Sequence, residues 1–159
     1  MGSDDRNTIL MTKTGLDRIK KEYDILVRDK RPAILERLSE ARLAGDLKEN
    51  TEYSSSKDEL AFIDGRIGEL EVIMARAKPV NDQRSDSLQV GLGCRVTVKN
   101  GDAQANIFNI VGEWEADPMA KKISYQSPLG KSLMGRKIGD QVEVEAPAGK
   151  IVYTITQIK

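Results

Sequence analysis

The stretch Gly45-Asp46-Leu47-Lys48-Glu49-Asn50 lies between two long runs of helical period, and its reading decides the fold. Downstream, Tyr53, Ser56, Leu60, Ile63, Ile67, Leu70, Met74 and Ala77 recur at spacings of three and four, which places them on one face of a helix. Ser56, near the turn, is the polar exception. Upstream, Leu16, Ile19, Tyr23 and Leu26, then Ile34, Leu38 and Ala41, form a matching seam. Two such stripes joined by a short turn containing glycine predict an antiparallel coiled-coil hairpin. Gly45 is suited to end the first helix in a left-handed conformation, and Asn50 to cap the second. Pro32 has no amide proton and its ring crowds the preceding turn, so a kink or a short restart is expected near Arg31. At roughly 1.5 Å per residue, a helix of about 25 to 30 residues extends about 40 Å, longer than a compact domain of this size needs. The turn therefore sets Asp46 and Glu49 at the far end of a projection.

Pro79 ends the helical pattern, and the polar run Asn81-Asp82-Gln83-Arg84-Ser85-Asp86-Ser87 reads as a linker. Beyond it the period becomes alternating. Val96 and Val98 precede an Asn100-Gly101 turn signal, Val142 and Val144 repeat the pattern, and Ile151, Tyr153 and Ile155 belong to a final strand that is apolar or β-branched on both faces. Ser127-Pro128-Leu129 reads as an N-cap with proline at the first helical position, opening a short helix that ends near Gly135. Phe108, Trp114, Tyr125 and Tyr153 are expected to pack in or around the core of this half. The sequence thus predicts an α+β protein: residues 1–80 as a helical hairpin with an acidic tip, residues 81–159 as a small α+β domain.

The 159 residues include 25 basic and 25 acidic side chains, no histidine and one cysteine. A chain without net charge is not built for bulk counterion release, so any nucleic-acid contact has to be local. A lone Cys94 excludes an internal disulfide, and the lack of histidine argues against a zinc site. The sequence has neither an apolar run long enough to span a bilayer nor a signal-peptide pattern, which leads us to expect a cytoplasmic protein without a membrane partner. Met1 to Asn7 is polar and expected to be disordered.

Enzymatic motifs are missing: no general-base histidine, no Gly-rich phosphate loop, no nucleophile elbow. What remains is the tip. Asp46 and Glu49, three residues apart across a turn, are spaced to face one hydrated divalent ion, and Mg²⁺ commonly takes one or two carboxylates while keeping waters and phosphate oxygens. Two carboxylates alone hold Mg²⁺ weakly, so they would act beside acids or phosphates supplied by a partner. Acids near a helix start also serve ordinarily as caps or complements to the helix dipole, and spacing alone does not separate the two roles.

The wider sequence does. The run Glu40-Ala41-Arg42-Leu43-Ala44-Gly45-Asp46-Leu47-Lys48-Glu49-Asn50-Thr51-Glu52-Tyr53, followed by Phe62-Ile63-Asp64-Gly65-Arg66-Ile67, closely resembles the hairpin of the bacterial Gre-type transcript cleavage factors, nearest the GreA branch. The likeness continues in Met11-Thr12, Gly15-Leu16, Arg31-Pro32, Ser127-Pro128-Leu129-Gly130-Lys131-Ser132-Leu133-Met134-Gly135 and Pro147-Ala148-Gly149, and spans about Ile9 to Lys159. The resemblance implies a C-terminal domain of FKBP-like fold that docks beside the secondary channel of bacterial RNA polymerase, and a coiled coil that enters the channel. It implies no resident cofactor: Asp46 and Glu49 would assist a Mg²⁺ shared with the polymerase, which itself cleaves the backtracked transcript. Arg42 and Lys57 would contact the nascent RNA 3′ end, and Ser127 and Pro128 would meet the polymerase rim helices. By the same resemblance, Asn50, Glu52 and Tyr53 cap and close the tip. Gln126, Leu43 and Ala44 depart from the usual pattern, the last two standing where many relatives carry Glu and His.

Two alternatives have other consequences. An inhibitory Gre homologue would occupy the channel without cleavage; such relatives crowd extra acids at the tip, whereas this tip has Asp46, Glu49 and Glu52. A non-catalytic coiled-coil adaptor would keep its function when both tip acids are neutralised. A third possibility, a peptidyl-prolyl isomerase, is disfavoured by the few aromatics available to line a pocket.

Overall fold

A computed structural model of the chain describes residues 7–45, 49–81 and 88–159. The N-terminal leader up to Arg6, Asp46, Leu47 and Lys48 of the turn, and most of the expected linker lie outside the described residues. The chain divides into two compact units, Asp17–Arg76 and the segments Met1–Leu16 with Ala77–Lys159.

The first unit takes up α1 (Lys13–Ile25) from Asp17 onward; α1 leads through a π-helical turn (Leu26–Lys30) into α2 (Arg31–Leu43), and α3 (Thr51–Arg76) returns antiparallel to them. Ile19, Leu26, Ile34 and Ala41 are buried on the outgoing path, and Ser56, Ile63, Leu70 and Ile73 on the returning one. The buried outgoing residues are seven apart except between Leu26 and Ile34, which are eight apart and flank the π turn. There the Arg31 amide reaches back to the Leu26 carbonyl, so the turn takes up one extra residue and the seam stays in phase. A kink or a short restart was expected near Arg31; α2 begins at Arg31 with Pro32 in its first turn, in a path that the π turn keeps helical. Ile73, absent from the expected seam, is buried while Met74 is only half-buried, because the last buried turn of α3 steps by three residues after Leu70. Ion pairs flank the seam: Arg31 Nε to Asp64 at 2.7 Å, Arg37 Nη2 to Glu59 at 2.6 Å, and Arg66 bridging Glu22 at 2.7 Å and Glu69 at 2.6 Å. The carboxylate bonds, that from Glu22 foremost, hold the Arg66 proton more tightly than usual.

In the second unit, β1 (Ile9–Thr12) pairs in parallel with β2 (Ala77–Val80), so the two segments flanking the hairpin are joined side by side. Neither strand was expected. Pro79 lies within β2, tolerated because a two-stranded ladder leaves each strand an open edge. The main sheet has the order β5-β4-β3-β7-β6, built from β3 (Arg95–Lys99), β4 (Asn106–Val111), β5 (Lys122–Ser124), β6 (Gln141–Ala146) and β7 (Gly149–Ile158). The β4/β5 pair is parallel and the others antiparallel, a mixed sheet. The short helix α4 (Pro128–Leu133) supplies Leu133 to a core of Val90, Cys94, Val96, Val98, Ile110, Val142 and Ile155. Phe108, Tyr125 and Tyr153 pack around that core, the first and last edge to face with centroids 6.5 Å apart. Trp114 is instead 48% exposed, on a 3-10 turn, Glu113–Glu115.

Candidate functional site at the hairpin tip

The tip is shaped by how α2 stops and α3 starts. Ala44 closes the last turn, its amide donating to the Glu40 and Ala41 carbonyls. Gly45 follows at φ +151°, a positive value that glycine accepts without penalty, although not the left-handed helical value. Asp46 lies outside the described residues. Glu49 is exposed, immediately ahead of Asn50.

Asn50 does two things at once. Its Oδ1 accepts from the Tyr53 amide at 3.1 Å, the N-cap bond that starts α3, while its Nδ2 donates to the Ala41 carbonyl at 2.6 Å. One side chain thus satisfies a free donor of α3 and a carbonyl near the end of α2. The cap was legible from the sequence, but the bond back to Ala41 was not, because nothing in local spacing specifies it.

Arg42 of α2 packs over Tyr53 of α3, and Lys57 follows Tyr53 by four residues on the same helix. The Arg42 guanidinium lies 5.9 Å from the Tyr53 ring centroid. Its hydrogen bond holds the Tyr53 phenol below its ordinary pKa, with the charges of Arg42 and Lys57 acting the same way against desolvation. Both cations are exposed, as is Leu43, at 85%. Ser56, next to Lys57 on α3, is fully buried, and its hydroxyl is the one buried side-chain polar atom without a hydrogen-bond partner among the described residues. Glu52 lies 3.8 Å from Arg37.

Among the described residues no three of His, Cys, Asp or Glu gather as a metal cage. The acid that can be placed, Glu49, offers an exposed oxygen donor of the kind Mg²⁺ accepts, and it fits an ion whose remaining ligands come from elsewhere.

Ser127 and Pro128 belong to the sheet unit. Ser127 Oγ accepts from the Gly130 amide at 3.0 Å and donates to the Ser124 carbonyl at 2.7 Å, so the hydroxyl is engaged as a helix cap, and exposed Pro128 opens α4. A Cβ on Gly130 would collide with the Ser124 carbonyl oxygen, so this tight turn requires glycine.

Two family models match the chain. One, described as "Transcription elongation factor, N-terminal", covers residues 9–78; the other, "Transcription elongation factor, GreA/GreB, C-term", covers residues 85–159. The chain is 42% identical over 152 residues to the transcription elongation factor GreA of Thermoanaerobacter pseudethanolicus, and 43% identical over 152 residues to that of Lactococcus lactis subsp. cremoris strain SK11. In each case 95% of this chain and 97% of the relative are covered. Among solved structures, GreA factor homolog 1 of Thermus thermophilus is 26% identical, with 96% of this chain and 99% of that one covered at a TM-score of 0.44, a superposition too loose to bear on the fold. The chain belongs to the GreA/GreB family of transcription elongation factors.

Proposed function

We propose that the protein enters the secondary channel of bacterial RNA polymerase with its hairpin and stimulates the polymerase's own cleavage of backtracked RNA. The observation that carries this reading is the tip: the Asn50 bonds to Tyr53 and Ala41 tie the two helix ends, exposed Glu49 stands beside them, Arg42 lies over Tyr53, and Lys57 is exposed on the same helix as Tyr53. In this reading Asp46 and Glu49 contribute oxygens toward a Mg²⁺ held mainly by the polymerase. Such an ion, when bound, activates a water and stabilises the oxyanions of an in-line displacement. Arg42 and Lys57 offer cations to the extruded RNA 3′ end. The chain itself is not the catalyst; it completes a partner's site.

The sheet unit, which we read as FKBP-like, docks on the polymerase rim helices through the start of α4, at half-buried Ser127 and exposed Pro128. The structure has no helix, among the described residues, long and apolar enough to cross a membrane, and work on transcribing polymerase places the protein in the cytoplasm.

The test is a stalled, backtracked elongation complex carrying labelled RNA. Addition of the chain with Mg²⁺ should release short 3′ fragments and return the complex to elongation. Binding without release of fragments would favour the inhibitory homologue, and failure to bind polymerase would remove the reading altogether.

A further inference from the structure

Glu115 makes a set of contacts that its local element does not account for. Its Oε2 accepts from the Gly112 amide at 2.9 Å, the ordinary capping bond of the 3-10 turn Glu113–Glu115. The same carboxylate also reaches a segment 103 residues earlier: Oε2 accepts from the Thr12 amide at 2.9 Å, and Oε1 accepts from the Thr12 hydroxyl. That hydroxyl in turn accepts from the Gly15 amide at 3.0 Å, which satisfies a donor in the first turn of α1. Three donors therefore converge on one carboxylate, and Thr12 relays it to the start of the helix.

The surrounding backbone is cut to fit. A Cβ on Gly15 would collide with Glu115 Oε1, and a Cβ on Gly112 would lie 2.5 Å from the Leu10 carbonyl oxygen and 2.9 Å from Glu115 Oε2. Thr12 is buried and Glu115 half-buried, so water replaces these bonds poorly. All of these groups lie in the sheet-bearing unit.

We propose that Glu115 is a positioning residue for cleavage stimulation: its clasp on Thr12 fixes the end of β1 and the first turn of α1, the segment from which the hairpin starts. The role rests on the function proposed above. A hairpin with a loose start still reaches its partner, but its tip acids spend less time in the productive position. Loss of the clasp accordingly lowers the maximal rate of cleavage rather than the concentration needed for half of it.

The test uses the full chain. Glu115→Gln offers one oxygen to three donors and turns an amide N–H₂ toward them, so amide exchange at Thr12, Gly15 and Gly112 should accelerate at least tenfold, with β3 and β7 amides unchanged. At saturating protein, cleavage of backtracked RNA should fall at least fivefold while the half-saturating concentration stays within twofold. Thr12→Val, which removes only the hydroxyl, should reproduce the loss in milder form, and Thr12→Ser should restore it; this pair decides the matter if Glu115→Gln does not fold. Trp114, the sole tryptophan and the neighbour of Glu115, should report the loosening as a fluorescence change. Unchanged exchange in Glu115→Gln, or accelerated exchange with an unchanged maximal rate, would overturn the proposal. A native chain that stimulates no cleavage would instead overturn the functional reading and the positioning role with it, while the exchange data would still show whether the clasp exists.

Discussion

The hairpin and the sheet unit are held together in different ways. Along the hairpin, a single row of buried residues such as Leu26, Ile34, Ile63 and Leu70 is flanked by ion pairs whose partners are themselves substantially exposed. Pairs of that kind contribute about 0–1 kcal/mol each. In the sheet unit, Val96, Val98, Ile110, Leu133 and Ile155 are fully buried in one cluster drawn from three strands and a helix. The lesson is that the unit carrying the candidate chemistry is shallow and locally built, while the sheet unit has a core with sequence-distant partners. A tip with the proposed role in a partner's site is then free to vary without disturbing the sheet.

The largest expected effect tests that separation. Ile155→Ala should destabilise the sheet unit by roughly 4 kcal/mol and Ile34→Ala the hairpin by roughly 2.5 kcal/mol, the difference reflecting how fully each cavity is enclosed. Residue-resolved amide exchange should show each loss confined to its own unit; matching losses in both would merge them into one cooperative body. At the tip, Asn50→Ala removes an N-cap and the donor to Ala41, and should cost the hairpin about 1–2 kcal/mol in urea unfolding followed by helical circular dichroism. Ser56→Ala should act the other way, stabilising the hairpin by about 1 kcal/mol, since it deletes a buried hydroxyl that has no partner.

The smallest effect is electrostatic and leaves the fold unchanged. Two hairpin tyrosines are shifted in opposite directions: Tyr53 downward by the Arg42 hydrogen bond, Tyr23 upward by its 3.0 Å bond to Glu71. A guanidinium favours the phenolate, whereas a carboxylate accepting a hydrogen bond from the phenol opposes loss of its proton. As pH rises, Tyr53 should therefore ionise before Tyr23. Arg42→Ala should raise the Tyr53 value and Glu71→Gln should lower that of Tyr23, both read from ring carbon shifts by NMR.

Much of this was legible because the signals were local. The seam from Tyr53 to Leu70, the N-caps at Asn50 and Ser127, and the Asn100-Gly101 turn each rest on residues a few positions apart, and the structure contains them; Gly101 takes φ +54°. The β1/β2 pair was not legible, since Ile9–Thr12 and Ala77–Val80 become strands only by meeting across the whole hairpin, and Ala77 continues the helical period in sequence. The Glu115 clasp escaped for the same reason, its partner Thr12 being equally remote. Of the candidate site, Arg42 and Lys57 were identified together as RNA-contacting cations, while Tyr53, whose phenol both of them influence, had been given a purely structural role. Arg42 and Tyr53 stand on opposite helices, and only the antiparallel register brings the guanidinium over the ring. Asp46 lies outside the described residues, so its part in the tip rests on sequence.

The proposed action of the tip depends on its charges. Asp46→Asn and Glu49→Gln keep the shapes and remove the negative charge, and both should be assayed on a stalled, backtracked elongation complex alongside thermal melts and competition for polymerase. Either variant should show greatly reduced cleavage, melting within about 1 kcal/mol of the unaltered chain, the size of a helix cap, and affinity within a few-fold. Full cleavage by the double variant, or a lowered melting temperature with cleavage intact, would contradict that dependence on charge.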